Sequence, residues 1–325
     1  MGRSLARLIR AKESYLQLKH SINIVVTGIV DLDYNIIDET GEGLNLEEIL
    51  SLKKSELIGR SNGLSYDEIL LKVPSDIIVE LTTSTLDGEP GITHIQKAFF
   101  HQKHVVTTNK SPLVLKYHDL MKLARQNGCR FLFDGTVGGV LPIFPAFQCG
   151  LRANEILRIE GIFNGTTNYI LTRMSEGIPY SQALESAHKL GLCETDPYDD
   201  LSGLDAARKL VIVANVLMDV NLTLDQVKMK GIEHITEDQI VEATLNEQVI
   251  KQIATIEMDN GKLKASVKPK SIDISNPMAH VDGAMNAIQV YMEYAGEVTL
   301  TGIGAGPKEV SSIVLSDIVY IGADL

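Results

Sequence analysis

Short apolar runs alternate with segments of helical period from residue 1 to about 140, and that alternation limits the fold more than any other feature. Strands are expected at 22–31, 76–81, 104–107 and 130–134. Helices are expected near 3–19, 45–56, 66–72, 91–101 and 112–127. Strands separated by helices of this length make βαβ units with right-handed crossovers, which means a doubly wound parallel sheet. The pattern changes after Pro142. Long half-buried strands are predicted at 155–163, 227–235, 248–258, 262–270 and 285–303, interleaved with helices at 142–151, 166–175, 180–190, 204–218 and 236–246. Met258-Asp-Asn-Gly261 and Tyr294-Ala-Gly-Glu297 carry hairpin-turn residues, and Thr236 with Gln239 makes a capping box. The second region therefore reads as an α+β sheet domain.

At 325 residues the chain exceeds one typical core, so two domains are the prior. We place the first at 1–141 and the second at 142–303, with a closing helix within 304–325. Net charge is −12, which argues against nucleic acid and for a soluble protein. No run reaches transmembrane length, so no membrane partner is expected. Cys129, Cys149 and Cys193 are odd in number and lack metal spacing; they read as free thiols in a reducing, cytoplasmic compartment. The Arg- and Ser-rich start could pass for a transit peptide. Leu5, Leu8 and Ile9 give it a core-facing stripe instead, and the strand pattern at 22–31 follows at once.

Two segments carry the candidate chemistry. One reads Gly161-Ile-Phe-Asn164-Gly-Thr166-Thr167-Asn168-Tyr169; the other holds Glu194-Thr-Asp196-Pro197 and then Gly203-Leu-Asp205-Ala-Ala-Arg208-Lys209. Leu204, Ala207, Leu210, Val211 and Ala214 set a helical period, so Asp205 and Lys209, four apart, share a face. That spacing is shared by a solvated ion pair worth a few tenths of a kcal/mol and by an acid–lysine couple inside a pocket.

Together these segments resemble the signature region of homoserine dehydrogenase, and the resemblance runs over nearly the whole chain. It implies a Rossmann-type nucleotide-binding domain, an α+β domain for substrate and dimerisation, and a C-terminal helix that returns to the first domain. It implies that Glu194 and Asp205 bind substrate and that Lys209, with Lys110 and Asp205, is catalytic. Lys110, in Thr107-Thr-Asn109-Lys110, resembles a family lysine that faces nicotinamide and substrate. Asn164, Thr166, Thr167 and Tyr169 would bind the substrate carboxylate. A homodimer is implied as well.

A dinucleotide fold needs a first strand and a glycine loop at a helix N-terminus. The chain opens at Met1-Gly2-Arg3, directly on the helix, and Gly2 matches the last glycine of the family loop. The first strand and the earlier glycines are absent from this start, and we expect roughly ten residues upstream of it. Asp31, ending the second strand, would bond the adenosine ribose and favour NAD over NADP, or serve as a turn residue. Thr82, Thr83 and Ser84 resemble a ribose and nicotinamide contact and also read as a strand-end cap, whereas Asn109 belongs to the lysine motif. Gly304 and Gly306 resemble a loop beside the nicotinamide. By resemblance, Asp134, Val137, Gly139 and Leu141 would offer oxygens to a sodium ion; the same glycines suit an ion-free hinge.

The reaction implied is reversible hydride transfer, with NAD or NADP, between L-aspartate 4-semialdehyde and L-homoserine. Lys209, with Lys110, would give the proton to the developing alkoxide. The alternative is a non-catalytic homologue that has lost cofactor binding. Neither a zinc motif nor a serine-hydrolase elbow is present.

Overall fold

The computed structural model describes residues 1–325 apart from Glu194, Asn260 and Asp324. The chain forms two compact units, Met1–Gly135 with Pro307–Leu325, and Thr136–Gly306.

The first unit opens with α1 (Gly2–His20), whose Leu5, Ile9 and Leu16 are buried. The three lie on one helical stripe, and Ser21 ends the helix in a left-handed conformation. Next come β1 (Gly28–Val30) and β2 (Asn35–Ile37), then α2 (Leu46–Ser51) and α3 (Lys54–Gly59). The central sheet is parallel, with order β3 (Ile77–Glu80), β4 (His104–Thr107), β5 (Phe131–Leu132). The connections are α4 (Tyr66–Lys72), which leads into β3, then α5 (Gly91–Phe100) and α6 (Lys110–Gln126).

The expected strand at 22–31 is shortened to β1, which pairs antiparallel with β2 and stands outside the parallel sheet. Ile22, Ile24 and Val26 are half-buried while Asn23 and Val25 are more exposed or at the border, so the two-residue period is real. Ile24 and Val26 pack against the core of α1. The period decides which side chains turn inward; a ladder needs a neighbouring strand, and in this stretch only the Val26 and Thr27 carbonyls are seen to accept backbone bonds, from Leu44 N and Asp38 N. The helix expected at 45–56 is two helices, because Leu52 is extended between them.

The second unit begins with α7 (Ile143–Pro145), continued as a π-type turn over Ala146–Gly150. It is built on a six-stranded sheet. Its strands are β6 (Ile156–Ile162), β7 (Val227–Met229), β8 (Gln248–Asp259), β9 (Lys262–Asp273), β10 (Met285–Met292) and β11 (Gly296–Ile303). The order is β11-β10-β6-β8-β9-β7, antiparallel except for the β7–β9 pair. Both predicted hairpins are present as β8–β9 and β10–β11. The strand expected at 227–235 stops at Met229, since Ile232 and Ile235 leave the sheet and pack with the helices.

The helices of this unit are α8 (Gly165–Ser175), α9 (Tyr180–Lys189), α10 (Tyr198–Leu201), α11 (Leu204–Leu217) and α12 (Glu237–Leu245). Ile170, Leu171, Ala183, Ala187 and Ile240 join three of them in one core. A second cluster of Ile162, Ile253, Met278, Val281 and Ala287 sits where β6, β8 and β10 meet the 277–281 turn. The chain then ends in α13 (Pro307–Gly322), which packs on α1 in the first unit through Val314, Leu315, Ile318 and Ile321.

Candidate active site

In the second unit, β6 delivers the chain to Phe163 and Asn164. Asn164 caps α8: its Oδ1 accepts from Thr167 N at 2.9 Å, which is why a helix starts there. The same side chain turns its Nδ2 toward two acids, donating to Asp200 Oδ1 at 2.6 Å and Asp205 Oδ2 at 3.0 Å. Asp205 sits in the first turn of α11, where a carboxylate is favoured by the helix dipole. The helix is launched by Gly203 at φ 89°, a left-handed conformation, and a Cβ there would also meet Val267 at 3.0 Å.

Lys209 lies one turn along α11. Its Nζ donates to Asp205 Oδ2 at 2.7 Å and to the Phe163 carbonyl at 2.7 Å. The lysine and aspartate side chains are 13% and 11% exposed, so the pair is largely withdrawn from water and is no solvated surface bridge. Desolvation raises the Asp200 carboxyl above its usual range, against the lowering pull of Asn164 and Lys209. A buried cluster of two acids, an amide and an ammonium suits a substrate that carries opposite charges. Glu194, the other expected acid, lies outside the described residues.

Of the threonines and the tyrosine of the same motif, Thr166 also hydrogen-bonds Asp200, and all three make further contacts around α8. Thr166 Oγ1 donates to Leu192 O at 2.7 Å, and Thr167 Oγ1 meets Gln252 Oε1 at 3.1 Å. The Tyr169 hydroxyl pairs with Ser186 at 2.9 Å. These hydroxyls fasten α8 to its surroundings. Asp200 was missed by sequence reasoning, although its position between Glu194 and Asp205 in an acid-rich stretch was a usable signal.

In the first unit the polar residues collect at the carboxyl ends of β3 and β4, where open parallel sheets bind ligands. Glu80, buried at the end of β3, organises them. One of its oxygens accepts from Thr82 N at 2.9 Å and from the Thr82 hydroxyl, and the other from Thr107 Oγ1 at 3.0 Å. Asn109 caps α6 and links Thr82 Oγ1 at 3.2 Å with Ser84 Oγ at 2.8 Å. The Lys110 amide donates to Ser84 Oγ at 3.2 Å. Thr82, Ser84, Asn109 and Lys110 thus form one assembly, with Thr83 exposed beside it. Donors so placed fit a nicotinamide dinucleotide. A charged residue closing an otherwise apolar strand, Ile77-Ile-Val-Glu80, was the legible sign of the organiser.

The remaining predicted residues are separate from these clusters. Gly2 is exposed at the start of α1, and Asp31 is exposed in the β1–β2 turn, its amide bonded to Tyr34 O at 2.8 Å. Asp134 is in the first unit, where its amide donates to Asp317 Oδ2 at 3.2 Å. Burial raises both carboxyls of that pair, and the charge of Asp134 raises Asp317 further. In the second unit Val137 and Leu141 are buried, and Gly139 approaches the Ile303 and Gly304 backbone so closely that a Cβ would sit 2.4 Å from Ile303 O. Gly304 packs against Asn286, and Gly306 has φ 131°.

Family comparisons agree with this arrangement. A family described as homoserine dehydrogenase matches residues 142–319, and its NAD-binding domain matches 1–134. The homoserine dehydrogenase of Methanocaldococcus jannaschii is 39% identical over 99% of this chain and 95% of the relative. The NAD(+)-dependent homoserine dehydrogenase of Pseudomonas canavaninivorans is 34% identical over 99% and 93%. Among solved structures, a homoserine dehydrogenase from Thermoplasma acidophilum superposes with a TM-score of 0.81 at 27% identity, covering 98% of this chain and 94% of that one. With motifs, fold and relatives in accord, the chain belongs to the homoserine dehydrogenase family.

Proposed function

We propose that the chain catalyses reversible NAD(P)-dependent interconversion of L-aspartate 4-semialdehyde and L-homoserine, with Lys209 as the proton-transferring group. The observation that carries this reading is the largely buried Lys209 ammonium held between Asp205 and the Phe163 carbonyl, beside Asn164 and Asp200. When bound, the nicotinamide cofactor supplies or accepts the hydride. Lys209 gives a proton to the alkoxide oxygen in reduction and takes it back in oxidation. Asp205 and Phe163 O fix the direction of its Nζ. Asp200 and Glu194 hold the substrate ammonium, and Asn164 bridges Asp200 and Asp205 by donating to both.

On the cofactor side, Gly2, Thr82, Thr83, Ser84, Asn109, Lys110, Gly304 and Gly306 are assigned to binding, and Asp31 to the ribose, which favours NAD. Lys110 at the head of α6 is the cofactor-side lysine. Asp134, Val137, Gly139 and Leu141 are assigned to a monovalent cation such as sodium, since carbonyl oxygens suit a hard ion. The enzyme is read as a cytoplasmic homodimer formed through the second unit's sheet, in line with its three free cysteines and its edge strands β7 and β11. Among the described residues no helix is long and apolar enough to cross a membrane.

The test is Lys209→Ala, assayed for NAD(P)H formation from homoserine and by thermal melting. We expect turnover to fall by about three orders of magnitude with the fold retained, the scale for a lost general acid–base. Near-normal turnover in a folded variant would falsify the assignment.

A further inference from the structure

Asn286, the second residue of β10, is 1% exposed, and the proposed mechanism above makes no use of it. Its Nδ2 donates to the Phe163 carbonyl at 3.2 Å. That oxygen is the one that also receives the Lys209 ammonium at 2.7 Å. A carbonyl has two lone pairs, and here one is taken by the amide and the other by the lysine. At its other end, Asn286 Oδ1 is buried without a hydrogen-bond partner. This oxygen lies so close over Gly304 that a Cβ there would sit 2.1 Å away.

The unpaired oxygen is informative. A buried strand position favours an apolar residue, and a half-satisfied amide costs stability that a leucine of the same outline would spare. Stability therefore gives no reason for an asparagine, whereas the donor end, aimed at the lysine's own acceptor, does. The amide orientation follows from the network, because the flipped form would set Oδ1 against Phe163 O. Gly304, lacking a Cβ, lets the amide lie flat in that orientation.

We propose that Asn286 is a positioning residue for proton transfer, acting on Lys209 through the Phe163 carbonyl. This rests on the assignment of Lys209 above. The amide hydrogen bond does two things. It stops the carbonyl from tilting, so the ammonium keeps its aim. It also shares the oxygen's electron density, so the carbonyl holds the charged lysine less tightly and lets it release its proton more readily. Among the described residues, Asp205 on its own helix and Asp200 on α10 are ionisable groups that bear on Lys209. Neither of them bonds Asn286, whose amide donates to the Phe163 carbonyl.

The experiment compares Asn286→Leu and Asn286→Ala with the parent enzyme. It reads kcat, KM for homoserine, the pH profile of kcat/KM in homoserine oxidation, and thermal melting. Lys209 must be neutral to accept the proton in that direction, so its titration forms the acid limb of the profile. We expect kcat to drop about tenfold with KM within about twofold, and the acid limb to move up by about half a pH unit or more. Asn286→Leu should melt no lower than the parent. An acid limb that stays where it was in either folded variant overturns the proposal, whatever happens to kcat, since a purely structural residue would not shift it. Lys209→Ala run alongside keeps the two ideas apart. An active Lys209→Ala enzyme sinks the proton-transfer assignment, and with it this proposal. An inactive one with an unmoved limb at 286 sinks this proposal alone.

Discussion

Asp205 accepts two hydrogen bonds on a single oxygen, from Lys209 and Asn164, and so ties the proposed proton donor to the amide that also bonds Asp200. Its loss would leave a buried ammonium without its counter-charge. Asp200 has a different place. It accepts from Asn164 at 2.6 Å, and burial raises its carboxyl. An arriving substrate ammonium would relieve that penalty, so Asp200 should serve binding more than chemistry. Asp200→Asn keeps the shape and the hydrogen bond while removing the charge. We expect KM for homoserine to rise about tenfold or more with kcat changed less than about threefold, the scale of one lost charge-assisted contact. Initial-rate kinetics would check this, and an equal fall in kcat at constant KM would contradict it. Asp205 and Lys209 could be paired from their i, i+4 spacing. Phe163 O and Asn286 could not, because a backbone carbonyl and a residue 123 positions away leave no mark in local pattern.

Elements hold these residues at fixed angles through their ends. α8 begins where Asn164 caps it, α6 where Asn109 does, and α11 where Gly203 takes a left-handed turn. Site residues thus double as helix signals, and for that reason α6, α8 and α11 were read to within two residues, whereas the short α10, which carries Asp200, was not read. α11 should be the most sensitive. Gly203→Ala forces a positive φ on a residue with a Cβ and presses it against Val267. We expect a loss of about 1–2 kcal/mol or more in stability, together with lowered turnover, because Asp205 and Lys209 ride on the helix that follows. Denaturant unfolding and kinetics would check both; an unchanged unfolding midpoint would contradict the strain. The elements read less well lie where pairing decides. Residues 22–27 have the alternation of a strand but are not assigned to one, and 231–235 leave the sheet for the helical core.

At the scale of the molecule, the two ends of the chain meet in the first unit, α1 against α13. Asp317 on α13 and Asp134 before the second unit form a buried acid pair there. The folded pair binds protons more tightly than the unfolded chain does. The pair's contribution to stability should therefore be greatest at low pH and fall as pH rises from about 4, the unfolded value, until Asp317 has lost its proton. Asp317→Asn should flatten that slope and raise stability at pH 8, seen as a higher melting temperature. A parent melting temperature that is flat or rising between pH 5 and 8, with no difference in the variant, would count against it. Nothing in the sequence pairs these acids, which are 183 residues apart. By itself the sequence determined the βαβ alternation, the helix limits, the hairpins and the family motifs, because period, caps and turns are local physics. Only the tertiary structure decided that Lys209 is withdrawn from water, that Glu80 gathers the cofactor-side hydroxyls, that residues 22–27 lack a ladder, and that Asn286 shares the lysine's acceptor. Burial and hydrogen-bond partners depend on what long-range folding brings alongside, and a local pattern carries no record of that.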